Sequence, residues 1–226
     1  MTLTGLLGGS FNPAHRGHRA ITAAAAAALA LDETWWMVSP GNPLKPAAGM
    51  APLAARFASA RRLADGLPVR VTAIERELGT RYTADTVRAL IRRFPDRRFI
   101  WLMGADNLAQ FHRWRDWRRI AAMVPIAVIA RPGYDGAAQQ APAMGWLRRF
   151  VRPAAKAKQW TNWRAPALVL LTLPPDPTSA TGIRAADPDW YASPEYSLNP
   201  EVLRDGVTRR PLTSRRFLAS TRTHPA

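Results

Sequence analysis

Two imidazoles, His15 and His18, stand three residues apart in the undecapeptide GGSFNPAHRGH, which runs from Gly8 to His18. The segment follows a short apolar run (Leu3, Leu6, Leu7) and precedes an alanine-rich stretch, so it reads as strand, glycine turn and helix start. A spacing of three puts both rings on one face of the first helical turn. The backbone N–H groups at that same helix end attract anions. Imidazoles placed there can donate hydrogen bonds to oxygens that gain charge in a transition state, so the constellation suits phosphate chemistry. A lone histidine would more simply cap the helix or pack. Two in register beside Gly8, Gly9 and Gly17 favour phosphate handling. No Gly-Lys-Ser/Thr follows the glycines, so this is not a Walker loop. Nor is it the GxGxxG of a dinucleotide fold, in which glycines rather than histidines face the pyrophosphate.

A second constellation lies far along the chain. Ser179, Thr181 and Arg184 follow the apolar run 168–173, and a Ser or Thr before a helix is an N-cap signal. That helix end would aim donors at a phosphate. A plain cap beside a solvated arginine is the alternative.

GGSFNPAHRGH resembles the HxGH signature of the nucleotidylyltransferase superfamily. Within it, the chain resembles the bacterial nicotinate-nucleotide adenylyltransferases. The resemblance runs from Leu3 to about Leu203 through ordered blocks: GNPLKP at 41–46, YTADT at 82–86, MGADNL at 103–108, WRDW at 114–117, RPGY at 131–134 and TSATGIR at 178–184. It implies transfer of AMP from ATP to nicotinate mononucleotide, giving deamido-NAD and pyrophosphate. On this resemblance His15, His18 and Arg184 are the catalytic residues, with His18 at the transferred α-phosphoryl. Gly9, Ser10, Phe11, Gly104, Asp106, Ser179 and Thr181 join them in binding ATP, Asp106 on the ribose hydroxyls. Asp106 could instead cap the following helix. Lys45, Thr83, Asp85 and Trp114 bind the acceptor, with Trp114 stacked on the pyridine ring. Many family members carry a histidine just before the lysine, where this chain has Leu44. Arg115 either attracts the acceptor carboxylate or faces water, and Arg131 either serves the nucleotide or starts a turn. Tyr82 and Trp117 are expected to pack, and His112 and His224 to be exposed. No His, Asp and Glu cluster has metal-ligand spacing, so Mg²⁺ is expected to arrive on the ATP phosphates.

These groups need a scaffold. Apolar runs at 3–8, 34–39, 69–72, 99–103, 126–129 and 168–172 read as buried strands, and 21–31, 53–64, 84–94 and 116–123 as helices. Their alternation predicts a Rossmann-like α/β fold, an open parallel sheet with helices on both faces. Sites on such sheets lie beyond the carboxyl ends of strands at the topological switch point. Further on, 144–151 reads as a helix, 153–158 as a basic loop and 200–205 as a short helix. The expected division is one nucleotidylyltransferase domain over 1–205 and a basic, flexible tail over 206–226.

Composition bounds the rest. A chain of 226 residues with 47% hydrophobic residues supports one packed domain. It has no cysteine, which excludes disulfides and thiolate metal sites and fits a cytoplasmic setting. No signal peptide is apparent, and the apolar run 20–31 is too short for a bilayer, so no membrane partner is expected. The net charge of +16 would concentrate anionic substrates, and would also hold nucleic acid without specificity. The arginines are dispersed, however, so no specific nucleic-acid partner is expected; a homo-oligomer is left open. The alternatives are a relative using nicotinamide mononucleotide or pantetheine phosphate as acceptor, or an inactive basic nucleic-acid-binding relative.

Overall fold

Parallel strands covered on both faces need near-continuous apolar runs, and those runs build the sheet. β1 (Thr2–Gly9), β2 (Glu33–Val38), β3 (Val69–Thr72), β4 (Arg97–Gly104), β5 (Ile126–Ala130), β6 (Val151–Arg152) and β7 (Leu168–Thr172) lie in the order β3-β2-β1-β4-β5-β7-β6. Every neighbouring pair is parallel. This is the α/β sheet expected from the sequence. The computed structural model describes residues 1–41, 49–130, 140–172 and 178–212. Lys45, Leu44, Arg131 and His224 lie outside the described residues.

The helices are α1 (Arg16–Leu29), α2 (Leu53–Ala64), α3 (Ile74–Leu78), α4 (Thr83–Arg93), α5 (Ala105–Gln110), α6 (Trp117–Met123), α7 (Met144–Leu147) and α8 (Ala180–Ala186). Side chains alternate across the strands and so feed two cores. Leu6, Trp35, Met37, Phe99, Trp101 and Met103 face α4, α5 and α6. Leu7, Trp36, Val38, Ile100 and Leu102 face α1 and α2. Gly8 must lack a side chain, because a Cβ there would come within 2.9 Å of Trp101 Cη2.

Four segments depart from expectation, the first being 144–151, where α7 gives way at Arg148 to a 3₁₀ turn and at Val151 to β6. α1 begins at Arg16 rather than 21, for a reason that belongs to the site. The basic stretch 153–158 is not a loop but part of a 3₁₀ segment, Ala154–Asn162, anchored by buried Trp160, whose Nε1–H donates to the Leu29 carbonyl at 2.9 Å. The region 200–205 turns without forming a helix, because Asp205 is drawn onto the sheet edge. Its buried carboxylate accepts from the Thr72 hydroxyl at 2.8 Å, from the Ala73 N–H at 2.7 Å, and from the Val207 and Thr208 N–H groups at 2.9 Å. Gly206 N–H donates to the Val71 carbonyl at 2.8 Å, an approach that any Cβ would block. Packing therefore continues past 205: Arg204 bridges to Pro211, and Leu212 is buried.

Asp205→Ala would leave these donors buried and unpaired, at a cost on the order of 3 kcal/mol. The expected result is a melting temperature lower by about 10 °C. A change below about 2 °C would show that the strap adds little.

Candidate active site

Strand order reverses between β1 and β4, and the crevice beyond their carboxyl ends is the expected place for a ligand. A cavity of ≈ 550 Å³ lies there. Its walls take Gly9, Ser10, Phe11, His15 and His18 from the first loop, Gly104 and Asp106 from the end of β4, and Ser179 and Thr181 from the last motif. Thr83 and Trp114 complete the set of expected site residues that line it. The first and last constellations thus meet, although they are far apart in the chain.

The imidazoles start α1 themselves. His15 is the N-cap, and its Nδ1 accepts from the Gly17 N–H at 3.2 Å. His18, at the third helical position, returns the bond: its Nδ1 accepts from the His15 N–H at 3.1 Å. This is a capping box built from two histidines instead of Ser and Glu. Capping and phosphate binding are therefore compatible. A neutral ring accepting at Nδ1 carries its proton on Nε2, so both caps fix the tautomer that leaves Nε2–H as a donor. The His18 ring is further held by Phe11 at 4.6 Å and His15 at 4.1 Å between centroids. Phe11 itself lies at φ 48, in the left-handed region, with its ring stacked on Trp36 at 5.4 Å.

At the far loop, Ser179 caps α8 by accepting from the Gly182 N–H at 3.1 Å. Arg184 lies outside the cavity lining. Its Nη1 donates to the Asn12 carbonyl at 2.5 Å and its Nη2 to the Thr181 hydroxyl at 3.4 Å. The guanidinium thus joins the two loops, with two of its five donors engaged by these bonds.

Asp106 is exposed in the first turn of α5, and its carboxylate makes no hydrogen bond among the described residues. Its Oδ1 occupies the space a Cβ on Gly104 would need, 2.4 Å away, so Gly104 makes room for the carboxylate. A further part of the wall comes from 81–83 and 113–115. Trp114 lines it, held edge-to-face by Trp101 and Phe111 at 6.1 and 5.3 Å. Trp117 packs against Phe111 and Trp146, as expected. Asp85 is not brought in: two positions past Thr83 it has turned about 200° around α4, and it faces Arg88 at 3.6 Å. Tyr82, expected only to pack, lines the cavity beneath the Arg115 guanidinium, 4.5 Å from its ring. Arg81, Arg113 and Glu75 also line the cavity and were not foreseen. Proximity to the YTADT and WRDW blocks was the one signal for the two arginines. Nothing local marked Glu75.

Glu75 is buried, and burial pushes its carboxyl from 4.5 up to about 7, against the opposing pull of hydrogen bonds to Thr86 and Ser39. A carboxyl raised on folding stabilises the fold fully below its unfolded value and loses that contribution as pH climbs through the folded one. Between pH 4.5 and about 7 the loss is on the order of 3 kcal/mol. Glu75→Gln lacks this loss. Melting curves should therefore show the variant gaining on the unmodified protein across that window, whereas a constant difference would contradict the assignment.

The chain is similar to known proteins over most of its length. A model of the cytidylyltransferase-like family matches residues 6–186. A probable nicotinate-nucleotide adenylyltransferase of Erythrobacter litoralis is 58% identical over 213 residues, 94% of this chain and 95% of its own. One from Gluconobacter oxydans is 52% identical over 180 residues, 80% of this chain and 92% of its own. The solved structure of Plasmodium falciparum nicotinic acid mononucleotide adenylyltransferase complexed with NaAD superposes with a TM-score of 0.61 at 13% identity, covering 82% of this chain and 83% of that one. That likeness is one of fold alone.

Proposed function

Since the chain belongs to the cytidylyltransferase-like family and, within it, to the nicotinate-nucleotide adenylyltransferases, we infer that it transfers AMP from ATP to nicotinate mononucleotide, forming deamido-NAD and pyrophosphate in NAD biosynthesis. The observation that carries this is the meeting of the first loop with Ser179, Thr181 and Trp114 around one cavity.

The chemistry asks for alignment more than for a base. An oxygen of the acceptor phosphate, already ionised at neutral pH, attacks the α-phosphorus of ATP. The bond from that phosphorus to the oxygen bridging toward the β-phosphate breaks, and pyrophosphate leaves with the electron pair. Catalysis then rests on positioning two anions and stabilising charge on the transferred group. His18 and His15 would supply Nε2–H donors to phosphate oxygens. The N–H groups of Gly9 and Ser10, and those at the start of α8, would hold the remainder of the triphosphate. Arg184 would hold the two loops at the required separation and offer its remaining donors. Asp106 would accept from the ribose hydroxyls, with Gly104 giving it room.

The acceptor would stack on Trp114 beside Thr83. Arg81, Arg113 and Arg115 make that wall basic, which favours an acid over an amide. Among the described residues no group of three or more His, Asp or Glu could hold a metal ion, and Mg²⁺ would enter as part of the ATP substrate, keeping several waters. Lys45 would add a further cation near the acceptor. No described helix is long and apolar enough to cross a membrane; the cytoplasm, where ATP is abundant, is the location we propose.

Incubating the protein with ATP and, separately, nicotinate mononucleotide, nicotinamide mononucleotide or pantetheine phosphate tests the assignment. Pyrophosphate and deamido-NAD should form in equal amounts with the first, at a rate at least tenfold above the others. Faster turnover with either alternative acceptor would reassign the substrate.

A further inference from the structure

Arg56, on α2, is 1% exposed. Its Nε donates to the Ala51 carbonyl at 2.9 Å, its Nη1 to the Ser10 and Ser39 carbonyls at 2.7 Å each, and its Nη2 to the Pro40 carbonyl at 3.4 Å. No carboxylate pairs with it among the described residues. Burial lowers the guanidinium to about 10, so it stays charged at neutral pH. Burying a cation without a counter-ion is expensive, and helix packing alone would be served as well by an apolar side chain of similar volume. The contacts show what the cation does instead. Ser10 belongs to the loop after β1 and Ser39 to the loop after β2; both line the cavity, whereas Arg56 does not. Nη1 therefore ties the backbone of both loops together, while Nε and Nη2 fix the plane of the guanidinium through Ala51 and Pro40. A lysine ammonium could at most take the place of Nη1 and would leave the Ala51 and Pro40 carbonyls without the donors that fix the group's plane.

We propose that Arg56 is a positioning residue for catalysis, setting the backbone of Ser10 against that of Ser39 so that the first loop meets the transferred phosphate in register. The proposal rests on the adenylyl-transfer assignment above.

The test compares unmodified protein with Arg56→Lys and Arg56→Ala. With ATP and nicotinate mononucleotide, R56K should lose tenfold or more in kcat, while KM for each substrate changes less than threefold and the melting temperature falls by only a few degrees. Guanidinium ion at millimolar concentration should restore part of the R56A turnover without raising its melting temperature. Amide exchange at residues 9–11 and 38–41 should quicken at least tenfold in R56K, a readout independent of turnover. A folded R56K with kcat within twofold of the unmodified protein would overturn the proposal, as would unchanged exchange in those loops. If R56A fails to fold, R56K alone decides. An unmodified protein that makes no deamido-NAD would instead overturn the functional assignment, and the exchange measurement would still judge Arg56.

Discussion

His18→Ala is expected to lower kcat by about two orders of magnitude or more, the scale for losing one donor aimed at charge that develops in the transition state. The ring has two jobs, one on each nitrogen, and they can be separated. Its Nδ1 caps α1 by accepting from the His15 N–H, a contribution of about 1 kcal/mol to stability. Its Nε2 is the atom proposed to donate to the phosphate oxygen. Asparagine can place an oxygen near the Nδ1 position but reaches no further. His18→Asn should therefore recover the stability lost in His18→Ala while remaining as slow. Glutamine reaches toward the Nε2 position, so His18→Gln should be the least impaired in turnover. Melting temperature and kcat for the three variants check this directly. If kcat tracked stability across the series, the imidazole would be only a cap.

Arg184→Ala is expected to reduce kcat/KM for ATP by roughly 10- to 100-fold, the range for losing charge-assisted hydrogen bonds. The cause differs from that at His18. Arg184 fastens α8 to the first loop through the Asn12 carbonyl at 2.5 Å and stands beside Thr181 at 3.4 Å. Its loss would widen the gap that the triphosphate has to bridge, so KM for ATP should rise as well as kcat fall. Arg184→Lys keeps the charge but cannot hold both partners in a planar fork, and should lie between the two. Initial rates over an ATP titration separate these effects. An unchanged KM for ATP in Arg184→Ala would confine the residue to structural support.

Much of the scaffold was legible because its signals are local. Strands covered on both faces show themselves as apolar runs, and β3 and β7 occupy the predicted bounds, Val69–Thr72 and Leu168–Thr172. Helix starts were less visible. Apolar periodicity alone begins at 21, five residues late, whereas the spacing of His15 and His18 already pointed to the helix start that α1 has at Arg16. α5 (Ala105–Gln110) was hidden in GADN, whose residues also read as a loop, with Leu108 its one large buried side chain. The hardest features are those that distant segments create. Asp205 reaches Thr72 across 133 positions, and that contact both extends the packed chain beyond 205 and braces the turn leading into Glu75. In a linear reading Glu75 is one more acid on a short polar stretch. Arg56 was equally hidden, since Arg on a helix reads as a solvated face until its carbonyl partners at Ser10 and Ser39 are seen.

Crystallography with a non-hydrolysable ATP analogue gives the most direct test of the central claim, that the first loop and the 179–184 motif form one triphosphate site. The analogue's α-phosphate should lie within hydrogen-bond distance of His18 Nε2, with the β- and γ-phosphates against the N–H groups at the start of α8. A triphosphate bound elsewhere, with His18 and Ser179 both untouched, would contradict the claim.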